Sequence, residues 1–213
     1  MINTERIFAY LESLFPNAHC ELEYTKDYEL LIAIILSAQC TDKRVNMVTR
    51  EMFKKYPTLE SLNKASLKDI ENEIKSLGLF KNKAKSIKET VRILLEEYDG
   101  VIPKEKAILT KLPGVGNKTA NVFRAEWYKE PEIAVDTHVA RVSKRLGFAN
   151  EKDDVSAVER KLRKQLKKEQ YIKAHHLLIH FGRYFCKAIN PNCEECQLKD
   201  ICRLYNSKLT SKR

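Results

Sequence analysis

Four cysteines, Cys186, Cys193, Cys196 and Cys202, are spaced C-x6-C-x2-C-x5-C within FCKAINPNCEECQLKDIC. Four thiolates inside 17 residues suffice to hold one metal centre through sulfur alone. The loop between them is too short and too polar to build a core. By themselves the four sulfurs fit a structural zinc and an iron–sulfur cluster about equally well. Cys20 and Cys40 stand apart and read as small buried apolar residues.

A second candidate is LPGVGNKTAN, which lies between two helical stretches. Pro113 fixes one turn dihedral, and Gly114 and Gly116 open backbone conformations closed to other residues. Such a turn aims successive backbone N–H groups from a helix N-terminus, and these suit a phosphate oxygen. The contact reads no base, so it is independent of sequence. A bare PGxG is otherwise an ordinary corner between helices. Lys118 falls in the first turn of the next helix, where the dipole is positive. Dipole and partial burial both disfavour its ammonium form, and an uncharged lysine amine forms Schiff bases. From spacing alone a surface lysine with its head in water is the better reading. Asp136, in VDTHVARV, stands where a helix N-cap belongs. A carboxylate near a lysine can instead take a proton or stabilise a developing cation. Nothing in the spacing shows that Asp136 and Lys118 meet. His175, His176 and His180 include an i,i+4 pair, but no carboxylate matches it, so packing and solvent contacts explain them better.

The elements around these residues are helical. Residues 4–15 place Ile7, Tyr10, Leu11 and Leu14 on one stripe, with Thr4 as cap. Residues 27–39 are apolar nearly all round, the pattern of a central buried helix. Residues 41–56 repeat Val45, Val48, Met52 and Phe53 helically and stop at Pro57. Residues 66–78 open on a Ser-x-x-Asp cap and close at Gly78, and 83–100 end at Gly100. Further helices are expected at about 104–112, 117–128, 136–146, 153–167 and 171–186. No segment alternates with period two, so the fold class is all-α.

Lys and Arg outnumber Asp and Glu by 39 to 29, a formal charge of +10, which favours a polyanionic partner over a neutral one. The run KLRKQLKKEQYIK (161–173) alone reads as a solvated helix face. The start lacks a basic head followed by an apolar block, and the run LLIAIIL is too short to span a bilayer. The expected location is therefore cytoplasmic, where reducing conditions favour clustered cysteines as metal ligands.

Together these pieces resemble the endonuclease III family of DNA glycosylases. LSAQCTDKRVN (36–46), LGLFKNKA (77–84), LPGVGNKTANV (112–122), VDTHVARVSKRLG (135–147) and the four-cysteine tail follow the family's order and spacing. The resemblance spans nearly the whole chain. It implies a helix-hairpin-helix fold of two helical lobes with DNA in the cleft between them. One lobe would be a six-helix bundle over residues 22–132. The other would join residues 1–21 to 133–213 and carry a [4Fe–4S] cluster on Cys186, Cys193, Cys196 and Cys202. The implied partner is double-stranded DNA with damaged bases or abasic sites, bound by a monomer associated with the nucleoid.

The resemblance also implies a chemistry. The damaged nucleotide is flipped out of the stack. Lys118 attacks the sugar C1′, Asp136 assists departure of the base, and β-elimination from the Schiff base breaks the strand. The substrates would be oxidised pyrimidines. Gln39 would enter the gap left by the flipped base, and Leu79 would wedge into the opposite strand. Gly114 and Gly116 would grip phosphate, and His138 would lie near the DNA. Arg183, Lys187, Lys199 and Arg203 flank the cysteines and would offer positive charge to phosphates. Three departures stand out: the bulky stretch FRAEWYKEP (123–131), Phe80 where many members have tyrosine, and Cys40 where a smaller alanine is common. Two rival readings remain. One is an adenine-mismatch glycosylase, which lacks the lysine. The other is a non-catalytic DNA-binding module with a redox-sensing cluster.

Overall fold

The structure, a computed structural model, describes residues 2–210, with side chains through Ser207. Among the described residues the regular elements are helices, and none is a strand. In chain order they begin with α1 (Thr4–Leu14), α2 (Asp27–Ser37), α3 (Asp42–Lys55), α4 (Leu59–Lys64), α5 (Leu67–Ile74) and α6 (Phe80–Glu97). They continue with α7 (Lys106–Leu109), α8 (Asn117–Glu126), α9 (Thr137–Arg145), α10 (Val155–Gln165), α11 (Tyr171–His180) and α12 (Arg203–Thr210). Among the described residues no helix is long and apolar enough to cross a membrane. The chain divides into two compact units, Glu21–Glu130 and a discontinuous one made of the residues before Glu21 and after Glu130.

In the Glu21–Glu130 unit, α2 is the axis. Every residue from Tyr28 to Leu36 is buried, and α3, α6 and α8 pack around it. Burying each Leu or Ile side chain there contributes about 1.5–3 kcal/mol. Its entry is fixed by Glu29, whose carboxylate accepts the N–H groups of Thr25 (2.7 Å) and Lys26 (3.2 Å). Thr41 caps α3, and Ser66 with Asp69 forms the capping box of α5. Three boundaries differ from the sequence expectation. The six-residue α4 escapes a periodicity search because it is too short to repeat. α5 ends at Ile74 rather than Gly78, and α6 begins at Phe80, because the chain reverses at Leu79 with φ 58°. The helix expected over 104–112 shrinks to the four-residue α7, where the Thr110 hydroxyl donates back to the Lys106 carbonyl (3.0 Å).

In the discontinuous unit, α1 contributes Ile7, Tyr10 and Leu11 to a core completed by Val139 and Val142 of α9, Leu162 of α10 and Leu178 of α11. The cap of α1 is Asn3 rather than Thr4: its side chain accepts the Arg6 N–H at 2.9 Å. The helix expected over 171–186 is regular only to His180. A wide π turn, Phe181–Phe185, follows and delivers Cys186, whose N–H reaches the Phe181 carbonyl at 2.6 Å. α12 was not expected from the sequence. His175, His176 and His180 are all buried. His175 Nδ1 meets the Ala134 carbonyl at 2.8 Å and His180 Nε2 the His19 carbonyl at 3.0 Å, so they pack and tether rather than face solvent.

Candidate functional site

The turn between α7 and α8 is seated on the core of its own unit. The Thr90 hydroxyl donates to the Pro113 carbonyl at 2.9 Å. Gly114 takes φ +80°, and a Cβ there would lie 3.0 Å from Ser86 Cβ and 3.2 Å from Ile35 Cγ2. The glycine is therefore required by backbone conformation and by close packing on α2 and α6. Gly116 is different. It caps α8 with an extended backbone (φ −87°, ψ 179°) that any residue adopts, and a Cβ would project into open space. Nothing within the chain demands glycine there. Since Gly116 lends no side chain to the cap, the N–H groups of the first turn of α8 lack that partner. Lys118 stands in that turn and is exposed. Its exposure matches the surface position that spacing alone favoured, without the partial burial that would also disfavour the ammonium form.

Gln39 and Leu79, at the ends of α2 and α6, share an unusual backbone. Both have left-handed dihedrals, φ 57° and φ 58°. Such conformations cost a non-glycine residue about 1–2 kcal/mol. Both are exposed, and Leu79 is 56% so, the opposite of a core leucine at a helix end. Strained, exposed residues of this kind concentrate at functional surfaces. One residue links the two turns, and sequence reasoning missed it. Lys83, in the first turns of α6, is only 5% exposed. Its ammonium donates to the Leu36 (2.9 Å) and Ala38 (2.7 Å) carbonyls and contacts Cys40 Sγ at 3.3 Å. Its backbone N–H bonds the Leu79 carbonyl at 3.1 Å. A cation at the carbonyl end of α2 also opposes that helix's dipole favourably. Lys83 thus pins the loop of Gln39 and the turn of Leu79 to one point.

In the other unit, Asp136 fills the cap role. Its Oδ1 accepts the Val139 N–H at 2.8 Å, which occupies one carboxylate oxygen. His138 follows in the first turn of α9. Burial lowers its pKa most, and the Arg141 and Arg183 cations lower it further; the Asp136 carboxylate and the Gly182 backbone act the other way. Arg141 Nη2 lies 3.3 Å from His138 Nδ1 and donates to the carbonyls of Gly182 (2.7 Å) and Cys186 (3.2 Å). Gly182 permits this approach: a Cβ there would fall 2.9 Å from His138 Cβ.

One turn along α9, Arg145 Nη1 reaches Cys186 Sγ at 3.2 Å and the Lys187 carbonyl at 2.8 Å. Cys186, Cys193, Cys196 and Cys202 all line a single cavity, walled otherwise by residues such as Leu146, Phe181 and Phe185. Burial raises the Cys196 thiol pKa, and the neighbouring Cys186, Cys202 and Cys193 raise it further, so the four sulfurs lie within electrostatic reach of one another. Among the described residues no three His, Cys, Asp or Glu groups converge as one ion requires. A tetrahedral zinc needs every sulfur about 2.3 Å from one point. Four thiols that line one cavity can hold a metal group through sulfur alone. The loop is also tied to α1, where Arg6 pairs with Asp200 (2.7 Å) and bonds the Gln197 carbonyl (2.8 Å). Arg203 is exposed and also donates to the Ala149 carbonyl at 2.7 Å. The i,i+4 pair Arg141 and Arg145 was the legible sign of this network.

Residues 32–168 match the family model of the HhH-GPD superfamily base excision DNA repair protein. Residues 186–202 match that of the iron-sulfur binding domain of endonuclease III. Endonuclease III of Bacillus subtilis (strain 168) is 47% identical, covering 95% of this chain and 94% of its own. Endonuclease III of Escherichia coli (strain K12) is 42% identical, covering 91% of each. A solved structure of a trapped endonuclease III–DNA covalent intermediate superposes with a TM-score of 0.93 at 45% identity, over 98% of this chain and 100% of that one. A thermostable thymine-DNA glycosylase, 22% identical over 95% of this chain and 96% of that one, shares the fold with a TM-score of 0.84. The chain is a member of the endonuclease III family, within the HhH-GPD superfamily of base excision DNA repair proteins.

Proposed function

We propose that this chain is a bifunctional DNA glycosylase and abasic-site lyase that removes oxidised pyrimidines from double-stranded DNA. The observation that carries the reading is the exposed Lys118 amine in the first turn of α8, two residues after Gly116, where a Cβ would meet only open space. A phosphate on that N-terminus fixes the strand. The unprotonated Lys118 Nζ then attacks the sugar C1′, the C1′–N bond breaks and the base leaves. Loss of the sugar ring oxygen's bond to C1′ gives the protonated Schiff base, an electron sink. The C2′ proton then departs, and the bond from C3′ to its oxygen breaks on the 3′ side. Asp136 stabilises the cationic character that develops at C1′ as the base departs. Gln39 and Leu79, held by Lys83, fill the space of the extruded nucleotide and part the opposite strand. His138 lies beside the DNA near Asp136.

Cys186, Cys193, Cys196 and Cys202 hold a [4Fe–4S] cluster in this reading. When bound, the cluster supplies a four-point covalent cross-link to a loop with little core of its own. The site of action is the cytoplasm, at the nucleoid. Reducing the imine with borohydride on abasic DNA tests the proposal: a covalent adduct is expected from the wild type and not from Lys118→Ala. A folded wild-type protein that forms no adduct refutes it. Adduct formation also separates this activity from that of an adenine-mismatch glycosylase and from a purely DNA-binding, redox-sensing module.

A further inference from the structure

Gln39 and Leu79 are far apart in the chain, yet one residue ties their backbones together. Lys83 closes the first turn of α6 on Leu79, its N–H donating to the Leu79 carbonyl at 3.1 Å. Its ammonium donates to the carbonyls of Leu36 (2.9 Å) and Ala38 (2.7 Å), the second directly before Gln39. Both carbonyls belong to the open end of α2, where no later turn of helix satisfies them. The third N–H meets Sγ of Cys40, directly after Gln39, at 3.3 Å. Lys83 thus grips both chain neighbours of Gln39. The side chain is 5% exposed, so little water can replace these acceptors if the ammonium lets go. At either end of this stiff tie stands an exposed residue in the left-handed region, φ 57° at Gln39 and φ 58° at Leu79. Such strain persists only where the surroundings fix it.

We propose that Lys83 is a positioning residue for damage recognition, joining Gln39 and Leu79 into one rigid wedge that enters a duplex as a unit. The inference rests on the roles given to Gln39 and Leu79 above, and adds that the two do not act separately. Each insertion unstacks bases and must be offset by the contacts it gains. When both side chains stand in one frame, entry of the first places the backbone of the second. Less freedom is then lost on binding than if each turn were ordered on its own. The advantage exists only where there is a stack to enter and an opposite strand to part. An unpaired strand offers neither.

The test compares strand cleavage at one abasic site in a duplex with cleavage of the same strand unpaired. Rates are measured in single turnover with the holoprotein in excess but below saturation, so that insertion is included. In Lys83→Met the ratio of duplex to single-strand rate is expected to fall about tenfold, within the range of coupling inside one contact network. An equal loss on both substrates leaves the ratio unchanged, marks Lys83 as structural only and overturns the proposal. Wild-type rates on both substrates overturn it as well. A wild type that cleaves neither refutes the lyase reading itself, before any variant is made. Should Lys83→Met not fold, Gln39→Ala, Leu79→Ala and the double variant decide. Breaking a rigid wedge at one end already removes much of its advantage on the duplex. The double variant should therefore lose less than the product of the two single losses, by about threefold or more. Losses that simply multiply refute the coupling.

Discussion

The two glycines of the α7–α8 turn should fail in opposite ways. Gly114→Ala forces an L-residue to φ +80° and sets a methyl 3.0 Å from Ser86 Cβ and 3.2 Å from Ile35 Cγ2. The dihedral costs about 1–2 kcal/mol, and crowding a packed contact costs about 1–3 kcal/mol. The sum is a loss of roughly 2–5 kcal/mol. At about 2–4 °C per kcal/mol for a chain of this size, the midpoint of thermal unfolding should fall by roughly 4–20 °C. Gly116→Ala meets open space on an extended backbone, so its stability should stay within about 0.5 kcal/mol of wild type. Its binding to abasic DNA should nevertheless weaken, since the methyl stands where the phosphate must come close. Thermal unfolding followed by circular dichroism, paired with DNA binding by fluorescence anisotropy, separates the two effects. Wild-type melting of Gly114→Ala, or wild-type DNA affinity of Gly116→Ala, refutes the division of labour.

Other outcomes are equally specific. Asp136→Asn keeps a side chain able to cap α9, so melting should change by less than about 1 kcal/mol while base removal slows; full activity would reduce Asp136 to a cap. Leu79→Gly relieves the left-handed strain at φ 58° and should not lower stability, yet should weaken discrimination of damaged from intact duplex in a competition assay. His138 has a folded-state pKa below its unfolded value, chiefly through burial. Its contribution to stability is therefore present above pH 6.5 and lost as the pH falls below it, and His138→Gln should flatten that part of a stability-versus-pH curve. Cys196→Ala should lose the brown colour of the cluster and loosen the loop of residues 186–202, seen as faster proteolysis there while the Glu21–Glu130 unit stays resistant.

The helical class and the long helices were legible because their apolar residues repeat over three or more turns, as Val45 and Met52 do in α3. The chain reversals were not. Nothing in LGLFKN announces a left-handed leucine, because that conformation is imposed by the packing of α5 and α6 and not by local preference. The spacing of the cysteines was plain, but the choice between one ion and a cluster came from the family resemblance and from the match of residues 186–202 to the iron-sulfur binding domain of endonuclease III, not from the spacing. The residue linking Gln39 to Leu79 was hidden for a different reason. A lysine in the basic run KNKAK reads as a solvated charge, and only tertiary structure shows that Lys83 points inward onto the end of α2. The exposure of Lys118 was legible in the spacing, which favoured a surface lysine with its head in water.

The discontinuity of one unit has a consequence during synthesis. The apolar stripe of α1 finds its cover only in helices that follow Glu130. The 110 residues from Glu21 to Glu130 must leave the ribosome in the meantime. At about 5–20 residues per second that interval lasts roughly 5–20 s. A nascent chain therefore carries Ile7, Tyr10 and Leu11 uncovered while the intervening unit can already collapse around α2. A helix made before that unit is thus enclosed only after it.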